Sequence, residues 1–340
     1  MAVQTIVPKG PTGAARAATP RRVPPLVAFI GIRLARGLGV LAVVSMLAFG
    51  MVRSLPGDPV ANLIGPYGTD EQRAALTESL GLNGSIVTQY FSWLGQVFQG
   101  DWGTSVFSGL PTIQLVADRL PNTVELAIFA TIISVAWGIP AGALAALYRG
   151  RFLDTVVRAL TFLGMAVPVF AFGVIIVLVF TKYLPQWPTL SFVPFSTDPL
   201  RNLASVILPA VTLGLPLGST LCRFTRSSML EVYEQDYIRT ALAGGATPLQ
   251  ASIRHGLRNA SAPVATIVGL QLAGLIGGTI LVENVFAIPG LGQLAVSSIT
   301  QRDYSVAQAT ILLLGAIYVA MNLVIDMIYP ILDPRIGGRR

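Results

Sequence analysis

The sequence has one cysteine, Cys222, one histidine, His255, and two lysines, Lys9 and Lys182. A single cysteine excludes an intramolecular disulfide and any zinc site built on cysteines. A single histidine excludes a multi-histidine metal site, and no carboxylate stands near it to build a Ser/His/Asp triad. Neither lysine lies in a G-x-x-x-x-G-K-[ST] loop, so the chain has no Walker-type phosphate cradle. Charge is also scarce. Only 11% of the 340 residues are charged, against about a quarter in soluble domains. No acidic residue precedes Asp58.

What is abundant is apolar. Hydrophobic residues make up 53% of the chain, and the mean hydropathy is +0.68. A span of about 20 apolar residues crosses a bilayer as a helix. Six such runs are present, at roughly 29–52, 123–147, 157–181, 203–222, 262–286 and 306–330. Lipid cannot satisfy backbone polar groups, so the expected fold is an all-α integral membrane bundle of six transmembrane helices.

The net charge of +7 would suit nucleic acid, but the basic residues stand beside apolar runs and point to membrane topology instead. With a cytoplasmic N-terminus, 17 of the 23 Lys and Arg residues fall on the inner side. This predicts both termini inside. Residues 1–27 are basic and Pro/Ala-rich and are expected to be a disordered cytoplasmic tail. The apolar run that follows is too long for the core of a signal peptide. A membrane domain then runs over 28–336 and a short cytoplasmic end over 337–340.

The longest external segment is 53–120. DEQRAALTESLGL reads as a short surface helix. In SIVTQYFSWLGQVF, Ile86, Tyr90, Leu94 and Val97 recur at helical spacing, with Phe91, Trp93 and Phe98 beside them. Such a helix either lies in the membrane interface or packs on the bundle. Glycines four residues apart, at Gly138/Gly142, Gly214/Gly218 and Gly274/Gly278, mark close helix crossings.

The cytoplasmic segment 225–260 is the most informative. SSMLEVYEQDYIRTALA reads as one amphipathic helix, closed by Gly244-Gly245 as a C-cap. Thr247 and Gln250 have capping-box spacing, with Pro248 at the first helical position. The helix that follows carries one apolar or small face, formed by Leu249, Ile253, Gly256, Leu257 and Ala260. Gln250, Arg254 and Arg258 form a polar stripe beside it. A helix this short cannot span, so its apolar face needs a groove, on this chain or on another.

Here the sequence resembles a known family. DYIRTALAGGATPLQASIRHGLRNASAPV resembles the EAA motif of ABC importer permeases, with Ala241, Gly245 and Leu257 at matching positions. Arg239 stands where a glutamate is usual and Arg258 where a proline is usual, departures familiar in the peptide-importer branch. LPGDP at 55–59, GDWGTS at 100–105, LVENVFAIPGLGQL at 281–294, RDYSVAQ at 302–308 and LDPRI at 332–336 are similar in the same way. The resemblance covers roughly 28–336. It implies the type I ABC importer permease fold and the first permease subunit of a dipeptide/oligopeptide importer of the bacterial inner membrane. Nickel and glutathione importers share the branch.

The resemblance also implies partners. These are a second permease subunit, two ATPase subunits, an external substrate-binding protein, a peptide substrate and the bilayer, with no nucleic acid. The chain itself would be no enzyme and hold no cofactor or metal; ATP and Mg would sit on the ATPase subunits. The segment after Gly245 would be the coupling helix. Its expected contact residues are Arg239, Ala241, Gly245, Thr247, Pro248, Leu249, Ile253, Arg254, His255, Leu257 and Arg258. Polar residues inside spans are functional candidates; Gln271, Glu283 and Asn284 are the candidates for a translocation path. A stand-alone secondary transporter would show an internal repeat and midplane charge pairs, and an intramembrane enzyme would show paired catalytic groups. The sequence shows neither.

Overall fold

The computed structural model describes residues 26–54, 69–79 and 84–332. The LPGDP motif, nearly all of the N-terminal tail and the C-terminal end lie outside the described residues, as does LDPRI beyond Leu332. Among the described residues the structure is helical, with one isolated bridge between Thr104 and Pro111. The helices are α1 (Leu26–Arg53), α2 (Asp70–Ser79), α3 (Ile86–Phe98), α4 (Thr112–Leu147), α5 (Phe152–Ala166), α6 (Val169–Tyr183), α7 (Pro199–Tyr233), α8 (Asp236–Ala243), α9 (Pro248–Ala251), α10 (Arg258–Val285), α11 (Leu291–Gln301) and α12 (Tyr304–Leu332). A π-helical segment, Ser252–Leu257, joins α9 to α10.

Among the described residues, four single helices are long and apolar enough to cross a membrane, namely α1, α4, α7 and α12. Two bent pairs bring the number of traverses to six when each pair counts as one. The third expected span, 157–181, is not one straight helix. α5 and α6 meet at 98°. Pro168 has no N–H to donate and disfavours helical backbone at the residue before it. Val167 accordingly takes φ −83, ψ 124 and ends α5. Within the fifth span, the chain bends by 56° between Leu275 and Gly277.

α4 and α7 are longer than expected. With 36 and 35 residues each is about 50 Å long, well beyond an apolar layer of about 30 Å. α4 begins at Thr112, so the last part of the supposed external segment is helix continuous with a span. α7 runs on to Tyr233, so SSMLEVYEQDYIRTALA is not one helix. Its first half ends α7, and α8 starts afresh at Asp236.

These two long helices form the central pair, and glycine explains why. A Cβ on Gly138 would stand 2.6 Å from the carbonyl oxygen of Gly218, and one on Gly142 2.5 Å from that of Cys222. Any larger residue would force the backbones apart. Gly274 and Gly278 behave differently: both are exposed with open space around them. The main core joins α4, α7 and α10 through Leu126, Ala130, Val206, Leu213, Val282 and Phe286.

α3 packs on α1. Its Tyr90 ring meets Phe49 edge-on at 5.5 Å, and the Tyr90 and Ser45 hydroxyls share a hydrogen bond of 2.8 Å. Ile86, Val87, Phe91 and Phe98 remain exposed on its other apolar side. Two sequence motifs meet where the α3–α4 loop touches the α11–α12 turn. The Ser105 hydroxyl of GDWGTS donates to the Asp303 carboxylate of RDYSVAQ at 2.6 Å.

Candidate functional site: the capped segment and its buried supports

The Gly-Gly turn is a Schellman motif. Ala246 N–H donates to Ala241 O at 3.1 Å and Gly245 N–H to Leu242 O at 3.0 Å. This closure requires left-handed backbone at the residue after the cap, and Gly245 has φ +91. The next helix begins with a complete capping box. Gln250 N–H donates to Thr247 Oγ1 at 3.2 Å, and Thr247 N–H donates to Gln250 Oε1 at 3.0 Å. Pro248 occupies the first helical position, where its missing N–H costs nothing. Both helix ends are thus fixed by local chemistry, and the corner between them has a set geometry.

The apolar face expected after the corner is divided. Leu249 is 53% exposed. Ala251, Ser252, Gly256 and Ala260 are buried, and Leu257 is half-buried. Leu257 and Ala260 pack with Met229, Leu230, Tyr233 and Ala146. A Cβ on Gly256 would stand 3.1 Å from both Met229 and Tyr233, and the Tyr233 and Ser252 hydroxyls are hydrogen-bonded. The wider π turn takes more residues per revolution. It therefore rotates the later residues onto α7 while Leu249 points away. The segment is not a separate short helix either, because it runs through the π turn directly into α10.

Several expected contact residues do lie on one exposed surface. Arg239, Gly245, Thr247, Pro248 and Leu249 are exposed, with Tyr237 and Leu242 beside them. Arg239 pairs loosely with Asp236 at 3.5 Å. Ala241 is half-buried. The side chains of Ile253, Arg254, His255 and Arg258 lie outside the described residues.

A buried ion pair supports this end of the bundle. Asp154, at the start of α5, is 1% exposed. Arg226 of α7 donates to it twice, from Nε at 2.8 Å and Nη2 at 2.9 Å, and Gly150 N–H donates at 3.0 Å. Arg158 approaches to 3.6 Å. Arg226 lies one turn before Met229, on which the capped segment leans. Sequence reasoning did not single out this pair. The available signal was that Asp154 is the lone acid between Glu125 and Asp198, set among Arg149, Arg151 and Arg158.

The expected path residues have separate surroundings. Gln271 is half-buried between helices; its Nε2 donates to Leu217 O at 2.8 Å and Ser134 donates to its Oε1 at 3.4 Å. Asn284 is exposed and donates to Ile280 O within its own helix. Glu283 has no exposed surface. Thr123 Oγ1 donates to it at 2.8 Å and Gln293 N–H at 3.0 Å, with further bonds from Gly292 N–H and the Thr279 hydroxyl. Gly290, at the N-cap of α11, has no side chain with which to cap it. Glu283 supplies that cap from α10. A Cβ on Gly290 would collide with its carboxylate. Glu283 is therefore a buried cap for α11.

Sequence comparison places this architecture. The model for "Binding-protein-dependent transport system inner membrane component" matches residues 138–338, and the N-terminal model of the same system matches 26–127. The chain belongs to this family. It is 38% identical to the probable peptide ABC transporter permease protein y4tP of Sinorhizobium fredii, over 89% of this chain and 97% of that one. It is 38% identical to the oligopeptide transport system permease protein AppB of Bacillus subtilis, over 92% and 99%. The glutathione transport system permease protein GsiC of Salmonella choleraesuis is also 38% identical, over 89% and 97%. A chain from the inward-facing methionine ABC transporter MetNI superposes with a TM-score of 0.54 at 18% identity, over 65% of this chain and 97% of that one. At that identity the likeness concerns the fold. The protein is a multi-pass ABC importer permease subunit with the type I fold.

Proposed function

We propose that this subunit forms half of a pore that imports peptides, driven by separate ATPase subunits docked on the exposed corner around Leu249. The observation that carries the docking is the corner itself. A Schellman turn and a capping box hold an apolar side chain outward on a rigid mount that is continuous with a membrane helix. Motion imposed on the corner passes through the π segment into α10, and through Met229 and Tyr233 into α7. ATP and Mg belong to the ATPase subunits, and an external binding protein delivers the substrate. The peptide assignment rests on the named relatives. Glutathione is the second substrate reading, favoured by the equal identity to GsiC.

The test is uptake of a labelled oligopeptide, and separately of labelled glutathione, by cells in which the chain is deleted and then restored. Restoration of oligopeptide uptake supports the proposal. Restoration of glutathione uptake alone would replace it with the second reading.

The orientation belongs to the same proposal: both termini and the 225–260 segment inside, with the loop carrying α2 and α3 outside. In a Cys222→Ser background, a cysteine introduced at the exposed position Ser85 is expected to react with an impermeant thiol reagent in intact cells. Reaction only after the cells are opened would invert the topology.

A further inference from the structure

We propose that a groove between α1 and α12 holds the phosphate headgroup of an anionic phospholipid. The groove has a volume of about 190 Å³ and is lined by Arg33, Arg36, Gly37, Val319, Asn322 and Asp326, among others. Its depth is set by the spans. Asp326 follows a charge-free stretch of α12, 304–325, whose 22 residues span about 33 Å and so fill an apolar layer of about 30 Å. Arg33 pairs with Asp326 and shares its level. Both helices therefore place the groove at the level of a membrane surface. The orientation proposed above makes it the inner leaflet.

Sequence explains why a groove opens here. Gly37 brings α1 against α12, where a Cβ would stand 2.8 Å from Val319. One turn back, Arg33 and Arg36 stand on neighbouring positions of one helix face. Arg33 pairs with Asp326. Arg36 has no ion-pair partner among the described residues. The polar lining thus carries two guanidinium groups against one carboxylate, and a phosphate monoanion balances it. Guanidinium is the donor best matched to phosphate oxygens. The floor is apolar, and the stripe continues from Arg36 towards the membrane centre through Val40, Val43 and Leu47, all exposed. That stripe gives an acyl chain a place beside the headgroup, which a free phosphate ion does not need. Basic pockets between membrane helices recognise lipid headgroups by this chemistry.

The test uses the assembled transporter in neutral detergent, with its heat-unfolding midpoint followed during titration with phosphatidylglycerol. Phosphatidylcholine with the same chains and inorganic phosphate are the comparison arms. The midpoint is expected to rise saturably with phosphatidylglycerol alone. Arg36→Gln should raise the half-saturating concentration about five-fold, the worth of one basic residue near a membrane surface. Arg36→Lys should keep most of the response, and Arg149→Gln, outside the groove, all of it. Equal stabilisation by phosphatidylcholine, the same response to inorganic phosphate, or an unchanged response in Arg36→Gln would overturn the proposal. So would cross-linking of an Asn322→Cys variant to a second permease subunit, since the groove would then belong to a protein interface.

Discussion

Glu283→Ala is expected to lower the heat-unfolding midpoint of the assembled transporter by roughly 5 °C or more and to abolish uptake. The carboxylate is fully buried and takes bonds from Thr123, Gln293, Gly292 and Thr279. Removing it leaves those donors without an acceptor, and each buried orphan costs about 1–3 kcal/mol. It also uncaps α11, whose own N-cap, Gly290, has no side chain to substitute. At about 1.5 °C per kcal/mol for a domain of some 300 residues, a net loss of about 3–4 kcal/mol gives the stated shift. Glu283→Gln keeps one acceptor oxygen and should be milder. Gly290→Ala should reproduce the defect with the carboxylate intact, because its methyl group would occupy the carboxylate position. A Glu283→Ala variant with wild-type stability would remove the cap from the account.

Arg226→Ala is expected to destabilise the protein by about 3 kcal/mol or more, the cost of stranding a buried charge. Asp154 would keep the Gly150 amide and the looser Arg158 contact, but would lose both short bonds from Arg226. α5 would then loosen from α7 one turn from Met229, and uptake should fall with stability. The paired replacement Asp154→Leu with Arg226→Met should recover most of the loss, since well-packed apolar side chains often replace a buried ion pair at little cost. A double-mutant cycle in chemical unfolding reads the coupling directly. Additive single and double effects would mean that the two groups do not act as a pair.

The corner around Gly245 was legible because its determinants are local. A positive φ, a capping box and a proline at the first helical position follow from residues within a few places of each other. The close crossing of α4 and α7 was legible from Gly138, Gly142, Gly214 and Gly218, since small residues at this spacing have one common use. The bend at Pro168 was not read, because the apolar run 157–181 satisfies a length rule that carries no direction. The true ends of α4 and α7 were missed for a related reason: hydropathy stops where the membrane stops, whereas a helix stops where its caps are. The Asp154–Arg226 pair and the Glu283 cap join residues far apart in the chain. For Glu283 the sequence offered only an uncapped Gly290, and capping rules look for a side chain next to the helix. The split of the apolar face after Pro248 depends on the π turn, which changes the period that a helical-wheel argument assumes.

The most direct measurement is co-purification of the ATPase subunits with a Leu249→Asp variant, alongside oligopeptide uptake. Leu249 is exposed at the corner, so the substitution should leave membrane insertion and permease folding intact. In a partner cleft the new carboxylate would have to lose its water without a counter-charge, at a cost of several kcal/mol. The account predicts ATPase subunits lost from the purified variant and uptake reduced to the level of the deletion strain. ATPase retention and uptake at wild-type levels would contradict it, and would make the corner a passive element of the inner surface.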